Sequence, residues 1–405
     1  MKRSFAVCCL AVLTALFVGA SGRPPDSRWV ATWTSMPQLT EPANLPPAPF
    51  TGTDRVLDNA SLRQTAHVSV GGPRIRLRFS NAFGGAPLPL TSVAVARPVS
   101  GAAGVSAITP GSSVPVTFHG KPSTTVPSGA QVVSDPLPFP VRAFENITVT
   151  AYLAHGQHSL SITSHPGSRT TSYLIAGDQV SATDLPGATP VDHWYFLSGI
   201  EVLSPASAVA VIGDSLSDGR GSTTNGNDRW PDVLASRIPS AVVNEAAGGN
   251  RVLQDGLGPN VLARLDRDLL AQSGVSRAIV FEGINDLGTA APDAAAATAS
   301  DLIDAYDQIL TRAHAAGIQV YGATLTPFGG NEGYDNPLRE AARTSVNTWI
   351  RGHFDAVLDF DRVARDPAAP TRLLPAYDVG DHLHLNPAGY RALASSVPAG
   401  LFRNG

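Results

Sequence analysis

The polar and apolar positions of this chain follow two different patterns, and the change falls near residue 205. From residue 61 to about 202, apolar and polar residues alternate in short runs, most strictly over residues 74–79. Clusters of Gly, Pro, Asn and Asp separate these runs at short intervals. Period-two alternation interrupted by turn residues is typical of strands with one buried face, so this region is predicted to form an antiparallel β-sandwich.

From residue 208 onward, apolar runs alternate with segments of helical period. Residues 208–212 form a continuous apolar run that ends at Gly213, which is typical of a central parallel strand buried on both faces. The predicted strands are 208–213, 241–244, 277–282, 318–325 and 356–360, and the predicted helices are 229–237, 260–271, 292–316, 336–353 and a last one from 386. This alternation indicates an α/β domain with helices on both faces of a parallel sheet.

The first 60 residues carry a different signal. Lys2 and Arg3 precede an apolar stretch over residues 5–18 and a small-residue cleavage site, which together are typical of a secretory signal peptide. We expect cleavage after Ala20, with Gly22 as the alternative, and a secreted, extracellular protein. The predicted organisation is a signal peptide at 1–20, an irregular segment with one strand at 21–60, a β-sandwich domain at 61–203 and an α/β domain at 204–405.

Charge and cysteine content limit the classes of partner and catalytic site that this chain can have. The formal net charge is −4, and it becomes −6 when cleavage removes the two cations Lys2 and Arg3. A weakly acidic chain without basic runs is a poor nucleic-acid binder, and no stretch of about 20 apolar residues follows the signal to form a transmembrane segment. Both cysteines, Cys8 and Cys9, lie within the signal. A Cys nucleophile and a Cys-bound metal are therefore excluded from the mature chain.

Chemically useful residues lie in or near four loops of the α/β domain. Ser215 follows the first predicted strand, Gly249 the second and Asn285 the third, while Asp381 and His384 share a loop before the last helix. Ligands of open α/β sheets bind beyond the carboxyl ends of the strands, so these residues are expected to share one site.

Together these residues match the needs of acyl transfer. Ser215 can supply a nucleophilic hydroxyl and His384 the base, with Asp381 three residues earlier to orient the imidazole. The backbone N–H groups of Ser215 and Gly249 and the side-chain amide of Asn285 are the predicted oxyanion hole.

Each candidate also has a structural interpretation. Taken alone, Gly249 is more typical of a turn, and the pair Asn285-Asp286 is more typical of a turn or a helix cap. Asp214, beside Ser215, is an alternative acid, although its position favours bracing the loop through a backbone N–H.

The loop at 381–384 also allows a metal hypothesis, because carboxylate and imidazole are good metal ligands. Asp381, His382 and His384 would be the ligands. No H-E-x-x-H motif and no second His/Asp cluster accompany them. Of the two histidines, only His384 has the three-residue offset from Asp381.

Four sequence blocks, in this order, resemble the GDSL lipase/esterase family, whose members are also called SGNH hydrolases. The blocks are Gly213-Asp214-Ser215-Leu216, the stretch from Asn244 through Gly248-Gly249-Asn250, Gly283-Ile284-Asn285-Asp286, and Asp381-His382-Leu383-His384. The resemblance implies the nucleophile at Ser215, the acid and base at Asp381 and His384, and oxyanion donors at Gly249 and Asn285. Gly248 competes with Gly249, which is preferred because it directly precedes Asn250.

The same resemblance implies a flavodoxin-like three-layer α/β/α hydrolase domain with sheet order 2-1-3-4-5, and it implies no cofactor. The front half, at residues 62–70, 78–84 and 134–136, resembles secreted microbial members that carry an N-terminal β-sandwich. We therefore expect a serine esterase or acylhydrolase.

Two substrate classes are consistent with this sequence. Lipid or small esters are favoured, and the alternative is deacetylation of a polysaccharide with the sandwich as a glycan platform. A rival from another class is a non-catalytic glycan-binding protein, which would keep its ligand binding after Ser215→Ala.

Overall fold

The computed structural model describes residues 27–403, so the predicted signal peptide lies outside the described residues. The first half of the described chain is almost entirely strands and loops. In chain order its strands are β1 (Arg28–Thr34), β2 (Gln38–Leu39), β3 (Ala60–His67), β4 (Ile75–Ser80), β5 (Leu88–Leu90), β6 (Ser92–Ala96), β7 (Val114–Pro115), β8 (Thr124–Val126), β9 (Gln131–Val133), β10 (Asn146–Leu153), β11 (Thr163–His165), β12 (Ser172–Ala176), β13 (Thr189–Val191), β14 (Trp194–Tyr195) and β15 (Leu197–Ser204).

These strands form two main antiparallel sheets. One has four strands in the order β1-β15-β4-β9, and the other has six in the order β13-β12-β3-β10-β6-β7. Alternate residues of both sheets, such as Leu77 and Ile200 from one and Leu62 and Val149 from the other, meet in one buried apolar core. The alternating pattern in the sequence reflects this single buried face, and the predicted β-sandwich is confirmed.

The second half alternates strands and helices. In chain order its strands are β16 (Ala208–Gly213), β17 (Ala241–Ala246), β18 (Val275–Phe281), β19 (Gln319–Ala323), β20 (Ala356–Leu358), β21 (Arg365–Asp366) and β22 (Ala369–Leu373). Its α-helices are α1 (Ser215–Asp218), α2 (Trp230–Ala235), α3 (Val261–Leu265), α4 (Ile284–Thr289), α5 (Ala295–Ala315), α6 (Pro337–His353), α7 (Phe360–Ala364) and α8 (Pro387–Ser396).

Five parallel strands form the central sheet, in the order β17-β16-β18-β19-β20. Numbered along the chain this order is 2-1-3-4-5, which confirms the prediction. Val209 and Val211 of β16 pack into the core on one face, while Ala210 and Ile212 pack into the core on the other. The apolar run is continuous because the strand is buried on both faces.

Several predicted elements differ from the structure. The segment at 21–60 contains two strands, β1 and β2, rather than one, and the strand predicted at 356–360 ends at Leu358. The loop expected directly after Gly213 begins with the short helix α1, because the Asp214 carboxylate caps it at the backbone N–H of Leu216. The helix predicted at 260–271 is α3 followed by a π-helical turn at Asp266–Leu270. In that turn the buried Asp268 carboxylate pairs with the guanidinium of Arg264.

The sandwich and the α/β domain are joined by buried contacts as well as by the chain. Strand β1 pairs with β15 along one edge, and the backbone N–H of Ala31 donates to the carbonyl of Ser273 at 2.8 Å. The side chain of Val30 packs against Ala208 and Ala241 of the α/β domain. No helix within residues 27–403 is long and apolar enough to cross a membrane.

Candidate active site

The chain places Ser215 at the carboxyl end of the central strand β16. Gly213 ends the strand, Asp214 caps the next helix, and Ser215 is the first residue of α1. The Ser215 side chain is only 6% exposed, so its hydroxyl depends on protein partners for its orientation.

Ser215, His384 and Asp381 form a continuous hydrogen-bonded relay. The Ser215 Oγ atom lies 2.8 Å from His384 Nε2, and His384 Nδ1 lies 2.6 Å from Asp381 Oδ2. The other carboxylate oxygen accepts the backbone N–H groups of Leu383 and His384, which fixes the carboxylate against the imidazole. With Nδ1–H donating to the carboxylate, Nε2 is left to accept the proton of the serine hydroxyl.

The relay is electrostatically suited to that proton transfer. Burial lowers the pKa of His384 below its ordinary 6.5, against the opposing effect of Asp381, and the cations Arg220 and Arg169 lower it further. Burial acts to raise the pKa of Asp381, but hydrogen bonds from the backbone and ring of His384 outweigh it and lower that pKa. His384 is therefore neutral and Asp381 ionised at neutral pH, as a general base and its orienting acid require.

Two backbone N–H groups beside Ser215 are available to an oxyanion. Within residues 27–403, no hydrogen bond uses the N–H of Ser215 or of Gly249, whereas the N–H of Gly248 donates to Asp218 Oδ2 at 3.2 Å. Gly249 has a φ of +71°, and a Cβ there would lie 2.6 Å from Leu257 Cδ1. The geometry therefore favours Gly249 over Gly248 as the donor.

The Asn285 amide is held in a fixed orientation at the same site. Its Oδ1 accepts the hydroxyl of Tyr334 at 2.7 Å, and its Nδ2 donates one hydrogen to the carbonyl of Asn250 at 2.8 Å. The second hydrogen of Nδ2 remains for a ligand, because a primary amide has two donors. Asn250 is itself anchored by the guanidinium of Arg264 at 2.9 Å. Tyr334 and Arg264 carried no sequence signal of this role.

The alternative candidates have other partners. Asp214 Oδ1 accepts the N–H of Leu216 at 2.9 Å, and burial raises the pKa of this carboxyl to about 7. The carboxylate of Asp286 accepts the backbone N–H groups of Val252 and Leu253, which ties the third loop to the second. Both carboxyl groups thus accept hydrogen bonds from backbone N–H groups and stabilise the loops around the site.

His382 lies outside the relay. Its Nδ1 is 2.7 Å from Asp378 Oδ2, whereas His384 pairs with Asp381. The two histidines therefore have separate carboxylate partners. Within residues 27–403, no group of three or more His, Cys, Asp or Glu side chains is arranged to hold a metal ion.

A buried pair from the sandwich domain supports the oxyanion loop. His165 Nδ1 lies 3.0 Å from the carbonyl of Met36, and its Nε2 lies 2.9 Å from Asp218 Oδ1. Asp218 is the last residue of α1, and its other oxygen accepts Gly248 N–H. These two contacts, one to each ring nitrogen, fix the orientation of the imidazole against Asp218. Both side chains are almost completely buried, and no local sequence pattern indicates this contact.

A cavity of about 710 Å³ opens at the Ser215 hydroxyl, and both domains line it. The sandwich side contributes Gln38, Glu41, Asn44, Gly167, Arg169 and His193, and the α/β side contributes Ser215, Asp218, Arg220, Gly249, Asn285 and His384. Most of the residues that line it are polar or charged. All five residues of the predicted relay and oxyanion hole line this cavity.

Comparison with protein families identifies the second half of the chain. The sequence model of the GDSL-like lipase/acylhydrolase family matches residues 211–392, a span that contains the relay and every predicted oxyanion donor. Residues 211–392 form a GDSL-like lipase/acylhydrolase domain. The sandwich lies outside the matched part of the chain.

Solved structures similar to the GDSL-like domain come from several bacteria. A protein described as lipolytic and of the G-D-S-L family, from Desulfitobacterium hafniense DCB-2, is 21% identical, with 47% of this chain and 97% of that chain covered and a TM-score of 0.37. An acetylxylan esterase from Geobacillus stearothermophilus is 19% identical, with 47% and 93% covered and a TM-score of 0.35. A GDSL-like lipase from Bacteroides thetaiotaomicron VPI-5482 is 12% identical, with 47% and 84% covered and a TM-score of 0.36. A comparison with curated proteins finds no match.

Proposed function

We propose that the protein is a serine esterase that hydrolyses carboxylic esters through an acyl-enzyme on Ser215. The observation that carries this proposal is the Ser215–His384–Asp381 relay, with contacts of 2.8 and 2.6 Å, at the wall of a ligand-sized cavity. Free N–H donors beside the hydroxyl supply the second requirement of acyl transfer.

The reaction follows from these positions. Ser215 Oγ attacks the ester carbonyl carbon while its proton passes to His384 Nε2, and the carbonyl oxygen takes the negative charge. The N–H groups of Ser215 and Gly249 and the amide of Asn285 stabilise that oxyanion. The carbon–oxygen bond to the alcohol then breaks, and the alcohol leaves with the proton from His384. Water attacks the acyl-enzyme by the same steps, which releases the carboxylic acid and restores Ser215.

The cavity lining favours small esters over long acyl chains. Leu257 and Leu383 are the only aliphatic side chains, apart from Pro166, among the cavity-lining residues of the described chain. Each buried methylene stabilises a bound acyl chain by about 0.8 kcal/mol, and two leucines and a proline can bury only a few methylenes. Removal of acetyl groups from a polysaccharide, and glycan contact through the sandwich, stay predictions.

Ser215→Ala is the deciding test. The variant should lose about 10⁶ in kcat on 4-nitrophenyl acetate, because losing a triad serine typically has that effect. A fluorophosphonate should label the wild type on the peptide that contains Ser215. Ser222→Ala, a half-buried serine outside the relay, is the matched control and should keep its activity. Near-normal turnover in Ser215→Ala, with folding verified by circular dichroism, would overturn the proposal.

The same assay separates the substrate classes. Acyl chains from acetate to decanoate on 4-nitrophenol, tested beside acetate release from acetylated xylan, rank small esters, lipids and polysaccharide. We expect the highest kcat/KM on short acyl chains.

A further inference from the structure

Two arginines in the cavity differ from every other charged residue that lines it. Asp218 is paired with His165, and Asp381 with His384. Both carboxylate oxygens of Glu41 accept side-chain amide hydrogens, from Gln38 and Asn44. Arg169 and Arg220, by contrast, make no salt bridge and no guanidinium hydrogen bond within residues 27–403, although both border the same space.

Arg169 comes from the sandwich and is held firmly by its backbone. It adopts a φ of +51°, and its carbonyl accepts the N–H of Asn225 in the α/β domain at 2.8 Å. On either side of it, the Ser168 hydroxyl bonds to both backbone groups of Thr170. Its Nε atom is buried without a partner. An unsatisfied buried donor is unfavourable, and a bound acceptor would remove that penalty.

Arg220 approaches from the other side of the cavity, two residues after α1. Its N–H donates to the carbonyl of Ser215 at 3.0 Å, and its own carbonyl accepts the hydroxyl of Tyr390 at 2.6 Å. The backbone is thus fixed to the nucleophile, while the residue itself is exposed. Its charge is therefore available to a ligand beside Ser215.

Two buried arginines close to the site are neutralised by carboxylates. Arg229 pairs with Asp232, and Arg264 pairs with Asp268. Arg169 and Arg220 line the cavity itself and have no such carboxylate partner within residues 27–403. Both cations also act on His384, whose pKa they lower, so they lie within electrostatic range of the reacting atoms.

We propose that Arg169 and Arg220 form a subsite for an anionic group on the ester substrate, such as a carboxylate, phosphate or sulfate. Guanidinium groups bind such oxyanions through paired, charge-assisted hydrogen bonds. The proposal rests on the proposed esterase function and adds a substrate class to it. It also gives the sandwich a part in specificity, because Arg169 belongs to that domain.

Two pairs of esters test the subsite and locate the anion on the substrate. For an anionic acyl group, mono-4-nitrophenyl succinate is compared with neutral 4-nitrophenyl butyrate. For an anionic alcohol, 4-acetoxybenzoate is compared with its neutral methyl ester. We expect a higher kcat/KM for the anionic member of at least one pair, and 0.5 M NaCl should reduce this preference because salt screens the exposed charge of Arg220.

Arg169→Gln and Arg220→Gln identify the residues responsible. Each should lower kcat/KM for the preferred anionic ester by about tenfold or more, the typical effect of losing a charge-assisted hydrogen bond, and change the neutral partner by less than about threefold. Arg372→Gln on β22, an exposed arginine away from the cavity, is the matched control and should change neither.

The outcomes separate the two proposals. Hydrolysis of neutral esters that depends on Ser215, with no preference for either anionic ester in the wild type, would overturn the subsite alone. Equal losses on anionic and neutral esters in both variants would do the same. Activity that does not depend on Ser215 would instead overturn the esterase mechanism. The wild-type preference and its salt dependence need no variant, so a folding defect in Arg169→Gln leaves the subsite testable.

Discussion

Two carboxyl groups compete for the role of triad acid, and exchanging each for its amide tests the assignment. Asp381 Oδ2 contacts His384 Nδ1 at 2.6 Å, whereas Asp214 Oδ1 accepts the backbone N–H of Leu216 at 2.9 Å. An amide at 381 can donate to Nδ1 and so stabilise the tautomer with hydrogen on Nε2. That tautomer cannot take the proton of Ser215. An amide at 214 still offers an oxygen to Leu216.

The two variants should therefore differ greatly in turnover. The same exchange in a serine protease triad lowers kcat by about 10⁴, and we expect Asp381→Asn to lose up to that amount. Asp214→Asn should stay within about tenfold of the wild type, since the loop keeps its hydrogen bond.

Stability should change in the opposite sense. Burial raises the pKa of Asp214 from 3.8 to about 7, so the folded protein holds this proton more tightly than the unfolded chain does. Stability from this group is present below about pH 4 and is lost as the pH rises through about 7. The full shift corresponds to about 4 kcal/mol. Asp214→Asn does not ionise, so at pH 8 it should be more stable than the wild type by up to that amount, and the gap should narrow at pH 4.

The assays are kcat on 4-nitrophenyl acetate at pH 8 and urea unfolding at pH 4 and pH 8. The reasoning about the acid is wrong if Asp214→Asn loses activity as severely as Ser215→Ala while Asp381→Asn remains active. The reasoning about buried charge is wrong if Asp214→Asn is no more stable than the wild type at pH 8.

Two further predictions concern His384 and His165. Activity should rise with pH through one ionisation whose midpoint lies below 6.5, because burial lowers the pKa of His384 and only the neutral ring accepts a proton. A midpoint above 6.5, or the same rise in the residual activity of His384→Ala, would contradict this prediction. His165→Ala should destabilise the fold by about 3–5 kcal/mol, because it leaves the buried Asp218 carboxylate without its partner. The same variant should lower kcat more than it raises KM, because Asp218 also holds the loop of Gly248 and Gly249. Urea unfolding and steady-state kinetics measure both effects beside His67→Ala, a half-buried control, and equal behaviour of the two variants would refute the role.

The sequence was most informative where one physical rule decides the outcome. The apolar run before Gly213 required burial on both faces, and a buried parallel strand delivers Ser215 to the ligand-binding edge of the sheet. The three-residue offset between Asp381 and His384 let one loop hold both groups. Ser215 and His384 are 169 positions apart, yet topology and motif order together predicted their contact.

The rest of the site depends on packing between distant segments, which no local pattern records. His165 ends a short strand of the sandwich, and nothing near it in sequence points to Asp218 in the other domain. The same Asp218 carboxylate distinguishes Gly248 from Gly249 as an oxyanion donor, because it accepts the backbone N–H of Gly248. Tyr334 likewise reaches Asn285 from a loop 49 residues further on, so its role became visible only in three dimensions.

The position of strand β1 affects the order in which the chain can mature. Its register pairs Arg28 with Ser204, so β1, the first strand within residues 27–403, can pair only after β15 has been synthesised. The side chain of Val30 is buried later still, because the residues that cover it are Ala208, Ala241 and Val275. Domains usually fold one after another as they emerge. Here an early apolar strand stays uncovered until the central sheet of the second domain assembles, so an interrupted chain that ends at the domain boundary would expose it.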